Sequence, residues 1–206
     1  MGRPREHDHR TAEALLTAAE ELVREGGEDA LSVRAVAARA ETTTRAIYSL
    51  FGGREGLLAA LGARAFDLLR QGVIRYPRTE QPAQDLVDIG VKVFRRLLIV
   101  EHPVLFGLGV QRPPADLGYR LVVRTAAEGA WPALLERVAR LGVEDTAGAA
   151  TAFHAMCEGL GALELRGYFR PRDAPGAWRT SLRPLVIGLA TSGTSDVGER
   201  GRRAAR

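Results

Sequence analysis

The chain has 206 residues, of which 46% are hydrophobic and 26% charged, and its formal net charge is +4. This length allows one large or two small hydrophobic cores, and the single cysteine, Cys157, excludes an intrachain disulfide framework. The longest run of Leu, Ile and Val, Leu97–Val100, is far shorter than the ~20 residues that span a bilayer, and the N-terminus has no apolar signal core. We therefore expect a soluble, cytoplasmic protein without a membrane partner.

The first sixty residues predict three helices after a polar arm at residues 1–9. An apolar stripe at helical spacing predicts the first helix between Arg10 and Glu25. Ser32 and Thr43 are placed to cap two further helices, which the polar turn at Glu41 separates. Each of these two helices has one apolar face, and two such helices joined by a turn are typical of a helix-turn-helix.

Basic charge is concentrated in this helix-turn-helix. Residues 1–60 contain eight Arg against ten Asp plus Glu, a net charge of −2. Ser32 to Arg54 contains four Arg and one acid, Glu41, a net charge of +3. One basic edge on an otherwise acidic domain is expected if that edge contacts a polyanion. The donor side chains predicted on the exposed face are Arg34, Arg39, Thr43, Thr44, Arg45, Tyr48, Ser49 and Arg54.

The rest of the chain predicts helices and no strand. A long amphipathic helix runs from Arg54 to about Tyr76, and later helices are predicted at about 82–101, 116–141, 144–169 and 176–190. The fold class is therefore all-α, with about nine helices. The predicted ranges are the arm and helix-turn-helix at 1–54, a linking helix at 55–77, a helical domain at 78–191 and a disordered, mostly basic tail at 192–206.

The stretch from Ser32 to Leu58 resembles the DNA-binding signature of TetR-family (tetracycline-repressor-type) regulators. The residues that carry the resemblance are Ala40, Glu41, Thr43, Tyr48, Leu50, Phe51, Gly52-Gly53, Arg54-Glu55 and Leu57. Two of them depart from the family pattern, since Glu41 replaces the usual turn glycine and Leu50 the usual histidine. The resemblance implies an N-terminal three-helix DNA-binding domain and a C-terminal helical domain for ligand binding and dimerisation.

Contacts with a double-stranded DNA operator also follow from the resemblance. It implies that Thr44, Arg45 and Ser49 face base edges in the major groove, with Arg45 bidentate to a guanine. Such a contact contributes ~1–3 kcal/mol of discrimination between bases. Arg34 is implied to reach a base or a phosphate. The residues implied to hold phosphates are Thr43, Tyr48 and Arg54.

The resemblance further implies a repressor that binds a palindromic operator as a homodimer and is released by a small organic effector. The dimer would form through the last two long helices, at about 144–169 and 176–190. Aromatic side chains with a few polar groups are the usual lining of a pocket for a small organic molecule. The candidate pocket residues are Phe94, Leu98, His102, Phe106, Trp131, Phe153, His154, Met156 and Glu158.

Other functions remain as alternatives. Cys157 and His154 would share a helix face, but a cysteine among apolar residues on a helix is usually inert, so we predict no catalytic residues and no enzyme. The four histidines, His7, His9, His102 and His154, lack metal-ligand spacing, and no cofactor is predicted. A DNA-binding architectural or scaffold protein without ligand control is the other alternative, and a footprint confined to one palindrome would separate it from a regulator.

Overall fold

The computed structural model describes residues 3–111 and 117–192, and within them all regular structure is helical. The nine α-helices of these residues are α1 (Arg3–Gly26), α2 (Val33–Arg39), α3 (Thr44–Phe51), α4 (Arg54–Arg75), α5 (Pro82–Ile89), α6 (Pro103–Phe106), α7 (Leu117–Ala139), α8 (Thr146–Leu165) and α9 (Ala174–Ser192). A 3₁₀ turn at Glu28–Ala30 precedes α2, and π-helical segments at Gly90–Glu101 and Gly107–Gln111 continue α5 and α6. The predicted all-α fold with about nine helices is confirmed.

Helix α1 begins at Arg3, whereas the sequence predicted a polar arm up to residue 9. Pro4 is compatible with this start because proline is tolerated in the first turn of a helix. No glycine interrupts the segment before Gly26, and polar residues alone do not prevent a helix. The predicted arm is therefore wrong from Arg3 onward. The predicted tail lies outside the described residues, apart from Ser192, which ends α9.

Packing divides the chain into two compact units. The first unit comprises the described residues of Met1–Asp67 and His102–Ala127, and the second comprises those of Leu68–Glu101 and Glu128–Arg206. The domain ranges predicted from the sequence follow chain order, whereas packing groups α6 and the start of α7 with the N-terminal helices. Those ranges therefore remain a prediction about functional segments rather than a description of packing.

The first unit has a small apolar core to which each N-terminal helix contributes. Ile47 is the one buried residue of α3 and has no exposed surface. Ala46, Leu50 and Phe51 are half-buried, so only the exposed face of this short helix is available for contacts outside the core. The fully buried core residues of the first unit include Leu15, Ala19, Val36, Ile47, Leu57, Leu61 and Leu105.

In the second unit, a carboxylate joins three segments. The two carboxylate oxygens of Glu164 on α8 accept hydrogen bonds from Arg95 at 3.0 and 2.8 Å, and one of them also accepts from the Trp178 indole at 2.9 Å. Arg95 lies in the π-helical segment and Trp178 on α9, so this cluster links all three elements. Because each charged group is hydrogen-bonded, its burial is compensated.

A buried arginine caps the end of α4. Arg137 is only 2% exposed, and its guanidinium donates to the carbonyl oxygens of Val73 at 2.6 Å and Pro77 at 3.1 Å. It also donates to the carbonyls of Ile74 and Tyr76. The last carbonyls of a helix have no partner within it, so this cation satisfies groups that would otherwise be left without donors. No sequence pattern indicated this role, because an arginine in a helix is normally solvated.

Candidate nucleic-acid interface

The helix-turn-helix is built from local capping interactions that the sequence predicted. The Ser32 hydroxyl accepts a hydrogen bond from the Ala35 amide at 3.1 Å and caps α2. The Thr43 hydroxyl accepts from the Ala46 amide at 3.3 Å and caps α3. Each cap satisfies one of the free amides of a helix N-terminus. Thr43 is exposed, so its hydroxyl hydrogen remains available for a phosphate while its oxygen caps the helix.

Helix α3 presents one polar face. Thr44, Arg45, Tyr48 and Ser49 are all exposed, with Tyr48 at 61%. Residues one turn apart on a helix lie on the same side, so these four side chains form a continuous surface opposite the buried Ile47. The side chains for which the resemblance implies base contacts are thus together and accessible.

The four arginines of the basic edge fall into two pairs with different surroundings. Within the described part of the chain, the guanidinium groups of Arg34 and Arg45 are exposed and have no hydrogen-bond or ion-pair partner. A cation without a protein partner is available for a phosphate or a base edge. The sequence placed all four arginines on the exposed face of the helix-turn-helix but did not show which guanidinium groups have partners within the protein.

Arg39 is held by acids of α1. Its guanidinium donates to Glu25 at 2.8 and 3.1 Å and to Glu21 at 3.2 Å. The hydrogen bonds and charge of Arg39 lower the pKa of the Glu25 carboxyl. These ion pairs are solvent-exposed, so they contribute little to the free energy of unfolding. We infer that they mainly orient α2. Arg39 is accordingly not a candidate for DNA contact.

Arg54 is held by backbone carbonyls. Its Nε donates to the Leu31 carbonyl at 2.9 Å, one Nη donates to the Glu28 carbonyl at 2.7 Å, and the other donates to the Glu55 carboxylate at 2.8 Å. The side chain thereby ties the start of α4 to the turn that precedes α2. It is still 37% exposed, and two of its five N–H groups are not used in these bonds. The predicted phosphate contact by Arg54 therefore stays a prediction, beside a structural role that the sequence did not indicate.

The turn between α2 and α3 contains a strained residue. Glu41 has a φ of 49°, which makes it a non-glycine residue in the left-handed region, and its side chain is exposed. This conformation costs a residue with a Cβ roughly 1–2 kcal/mol. The departure of Glu41 from the usual turn glycine is thus tolerated by the backbone geometry but not free of cost. Leu50, the other departure, is half-buried.

We expect Glu41→Gly to raise the free energy of unfolding by about 0.5–1 kcal/mol, because relief of the left-handed strain exceeds the entropy cost of glycine. Thermal or denaturant unfolding measures the change. Glu41→Ala is the matched control: it removes the same charge but keeps a Cβ at positive φ, so it should not stabilise. Equal stabilisation by both variants would assign the effect to charge rather than to backbone strain.

Four of the residues predicted for an effector pocket form an aromatic cluster in the second unit. The ring centroids of Phe94 and Phe153 are 5.8 Å apart, and His154 lies 5.7 Å from Phe94 and 5.9 Å from Trp131. Burial lowers the pKa of His154, against the opposing effect of the Glu158 carboxylate 3.9 Å away. The lowered pKa favours the neutral imidazole of His154, which has one donor and one acceptor nitrogen.

The other predicted pocket residues are more scattered. Leu98 is buried in the second unit, and Met156 is half-buried on α8. His102 and Phe106 belong to the first unit, where the Nδ1 atom of His102 lies 2.7 Å from a carboxylate oxygen of Glu20 on α1. A surface groove of about 200 Å³ that the sequence did not indicate is lined by Gln81, Ala83, Gln84, Val87, Arg183, Val186 and Ile187.

The geometry of Cys157 argues against a nucleophile. Its side chain is 1% exposed, and burial raises the pKa of the thiol well above its ordinary value. The reactive form of cysteine is the thiolate, which this site disfavours. Among the residues that the structure describes, no three His, Cys, Asp or Glu side chains are grouped as metal ligands would be. In the same residues, no helix is both long and apolar enough to cross a membrane.

Comparison with known proteins points to the same N-terminal region. Residues 15–61 match the family described as bacterial regulatory proteins, tetR family. This range contains α2, α3 and the start of α4, together with the basic edge. No curated protein matches the chain.

Several solved structures share the fold over most of the chain. A protein of unknown function from Rhodococcus sp. RHA1 is 20% identical, with a TM-score of 0.71 over 87% of this chain and 95% of that one. The transcriptional regulator FadR from Bacillus subtilis, solved with stearoyl-CoA, is 17% identical, with a TM-score of 0.67 over 85% and 98%. NalD, the secondary repressor of the MexAB-OprM multidrug efflux pump in Pseudomonas aeruginosa, is 24% identical, with a TM-score of 0.63 over 89% and 98%. At such identities the likeness shows the fold alone.

Proposed function

We propose that this chain, whose residues 15–61 match the tetR family of bacterial regulatory proteins, represses transcription by binding a palindromic operator as a homodimer. The observation that carries this proposal is the exposed polar face of α3, together with the guanidinium groups of Arg45 on it and Arg34 on α2, which have no partner among the described residues. Such cations and hydroxyls are the donors that phosphates and guanine edges require. The site of action is then the operator DNA in the bacterial cytoplasm.

Within this proposal, the side chains divide into base readers and phosphate contacts. Thr44, Arg45 and Ser49 read base edges in the major groove, where the residues of a recognition helix reach the bases. The remaining proposed contacts are those of Arg34 with a base or phosphate, and those of Thr43, Tyr48 and Arg54 with phosphates. The capped N-terminus of α3 also carries free backbone amides, which favour a phosphate at the same position.

We expect Arg45→Ala to lose sequence discrimination of ~1–3 kcal/mol, because a bidentate contact to one guanine would be removed. The measurement is the ratio of dissociation constants for an operator selected from a random library and for the same duplex with single guanines replaced. Arg39→Ala is the matched control, since it removes the same formal charge from a side chain that is already paired with Glu21 and Glu25. An unchanged ratio in Arg45→Ala, at every guanine, would exclude this base contact.

Dimerisation through α8 and α9 is supported by small residues on their exposed sides. Gly159 on α8, and Gly176 and Gly188 on α9, are exposed, and a Cβ atom added at any of them would meet no atom of the described residues within 4 Å. Glycine within a helix costs roughly 0.5–1 kcal/mol relative to alanine, and packing inside this chain does not require it here. Close approach of a second chain would give these glycines a packing role. A dimer also allows two helix-turn-helix domains to bind half-sites about one turn of DNA apart.

The effector of this regulator is proposed to be a small organic molecule that contacts the aromatic cluster. Phe94, Trp131 and Phe153 supply apolar area, and neutral His154 supplies a donor and an acceptor. The stearoyl-CoA complex of FadR and the link between NalD and multidrug efflux support an organic effector here. Effector binding would favour a dimer in which the spacing of the two helix-turn-helix domains does not match that of the operator half-sites. Calorimetry that finds the same operator affinity with and without every ligand detected in a thermal-shift screen would exclude release by an effector.

A further inference from the structure

The C-terminal end of the recognition helix is a double-glycine turn. Gly52 caps α3 with a φ of 76°, and Gly53 follows with a φ of 129°. Both angles lie in a region that residues with a Cβ rarely adopt. The Gly52 amide donates to the Tyr48 carbonyl at 3.0 Å, and a Cβ atom at Gly53 would lie 3.4 Å from the Tyr48 ring. This turn determines where α3 ends and in which direction α4 begins.

A side chain far along the sequence reaches this turn. A Cβ atom added at Gly52 would lie 3.2 Å from the hydroxyl oxygen of Tyr119, which is in the first turn of α7. Tyr119 is half-buried and belongs to the same packing unit as α3. It lies outside residues 15–61, the range that matches the family. The absence of a side chain at Gly52 is therefore needed for the turn and also leaves room for the Tyr119 hydroxyl.

The same side of α7 makes a second close contact one turn later. Val123 is 4% exposed, and a Cβ atom at Gly62 on α4 would lie 3.1 Å from its methyl group. Gly62 also approaches Gly109, where an added Cβ would meet the Gly62 carbonyl oxygen at 2.5 Å. Residues four apart on a helix share a face, so Tyr119 and Val123 act from one surface of α7. Packing at Gly62 thus holds α7 in the position from which Tyr119 reaches Gly52.

We propose that Tyr119 is a positioning residue for operator recognition, because its hydroxyl supports the Gly52 end of the recognition helix. This inference rests on the proposed DNA-binding function. Helix α3 has eight residues, of which Ile47 is fully buried and Ala46, Leu50 and Phe51 are half-buried, so contacts at its two ends add to the few that set its tilt. Thr43 caps its N-terminal end, and the Tyr119 hydroxyl lies beside the glycine turn at its C-terminal end. Base-edge contacts require placement within about 0.5 Å and 10–20°, so loss of one support should affect base readout before it affects phosphate attraction.

The first arm of the test measures DNA affinity. Tyr119→Ala and Tyr119→Phe are compared with the wild-type protein on a duplex that the wild-type protein selects from a random library, and on a scrambled duplex of the same composition. Leu121→Ala is the matched control, since Leu121 is on the same helix and exposed. We expect Tyr119→Ala to weaken binding to the selected duplex about tenfold or more with the scrambled duplex unchanged, and Tyr119→Phe to show a smaller loss in the same direction. Leu121→Ala should match the wild type on both.

The second arm measures hydrogen exchange of the amides at residues 50–53 without DNA. Faster exchange there in Tyr119→Ala, with α1 and α8 unaffected, is the expected result. Equal weakening on both duplexes, or unchanged exchange, would overturn the proposal. If the wild-type protein selects no duplex, the proposed DNA-binding function fails, and the exchange arm alone decides whether Tyr119 supports α3. If Tyr119→Ala does not fold, Tyr119→Phe decides both arms.

Discussion

Arg54→Lys and Arg54→Ala are both expected to lower the free energy of unfolding, each by about 2 kcal/mol. The reason is geometric: the Arg54 guanidinium bonds the carbonyls of Leu31 and Glu28 at 2.9 and 2.7 Å from two different nitrogens. A lysine ammonium is a single point of charge and cannot span both carbonyls. The start of α4 would then be released from the turn before α2. Urea unfolding of the two variants and the wild-type protein measures the effect.

The same pair of variants separates stability from DNA contact. If Arg54 also holds a phosphate, Arg54→Ala reduces the slope of log affinity against log salt by about 0.9, whereas Arg54→Lys keeps the charge and the slope. Arg34→Ala is the matched control for stability, because Arg34 is exposed and has no partner within the described residues. Wild-type stability in Arg54→Lys would show that the carbonyl bonds do not matter. An unchanged slope in Arg54→Ala would show that the predicted phosphate contact is wrong.

Gly159→Leu is expected to convert a dimer into a folded monomer. Operator binding should weaken about 100-fold or more, because a single helix-turn-helix domain then binds the DNA instead of two linked ones. Within the chain, the new side chain at Gly159 would enter open space. Leucine also has the higher helix propensity, so the monomer itself should be slightly stabilised. The side chain would instead occupy the surface where a second copy approaches closely. Analytical ultracentrifugation measures the mass, and fluorescence anisotropy measures the operator affinity.

Gly129→Leu supplies the comparison for this experiment. Gly129 on α7 is also exposed, and a Cβ atom there would meet nothing within 4 Å. The substitution makes the same chemical change at a helical glycine outside the proposed interface, and it should leave mass and affinity unchanged. Gly188→Leu on α9 should behave like Gly159→Leu. A dimer of wild-type strength in both Gly159→Leu and Gly188→Leu would place the dimer interface elsewhere.

Much of the helix-turn-helix was predictable from local sequence. Ser32 and Thr43 cap their helices as expected, and Gly52 ends α3 in the left-handed conformation. Caps and glycine turns depend on a few neighbouring residues, so they can be predicted from the sequence without knowledge of the fold. The turn at Glu41 was also placed correctly, although only the backbone reveals that this residue has a positive φ.

The sequence by itself determined the helical fold class, the helix-turn-helix and the set of side chains on its basic edge. Only the tertiary structure decided which of the arginines are available, because Arg39 and Arg54 are bound by groups on other segments, while Arg34 and Arg45 have no partner in the part of the chain that the structure describes. It also decided that Tyr119 lies against Gly52, a contact between positions far apart in the chain. Partners of a charged side chain are chosen by distance in space, and spacing along a chain carries no information about them beyond a few turns of helix.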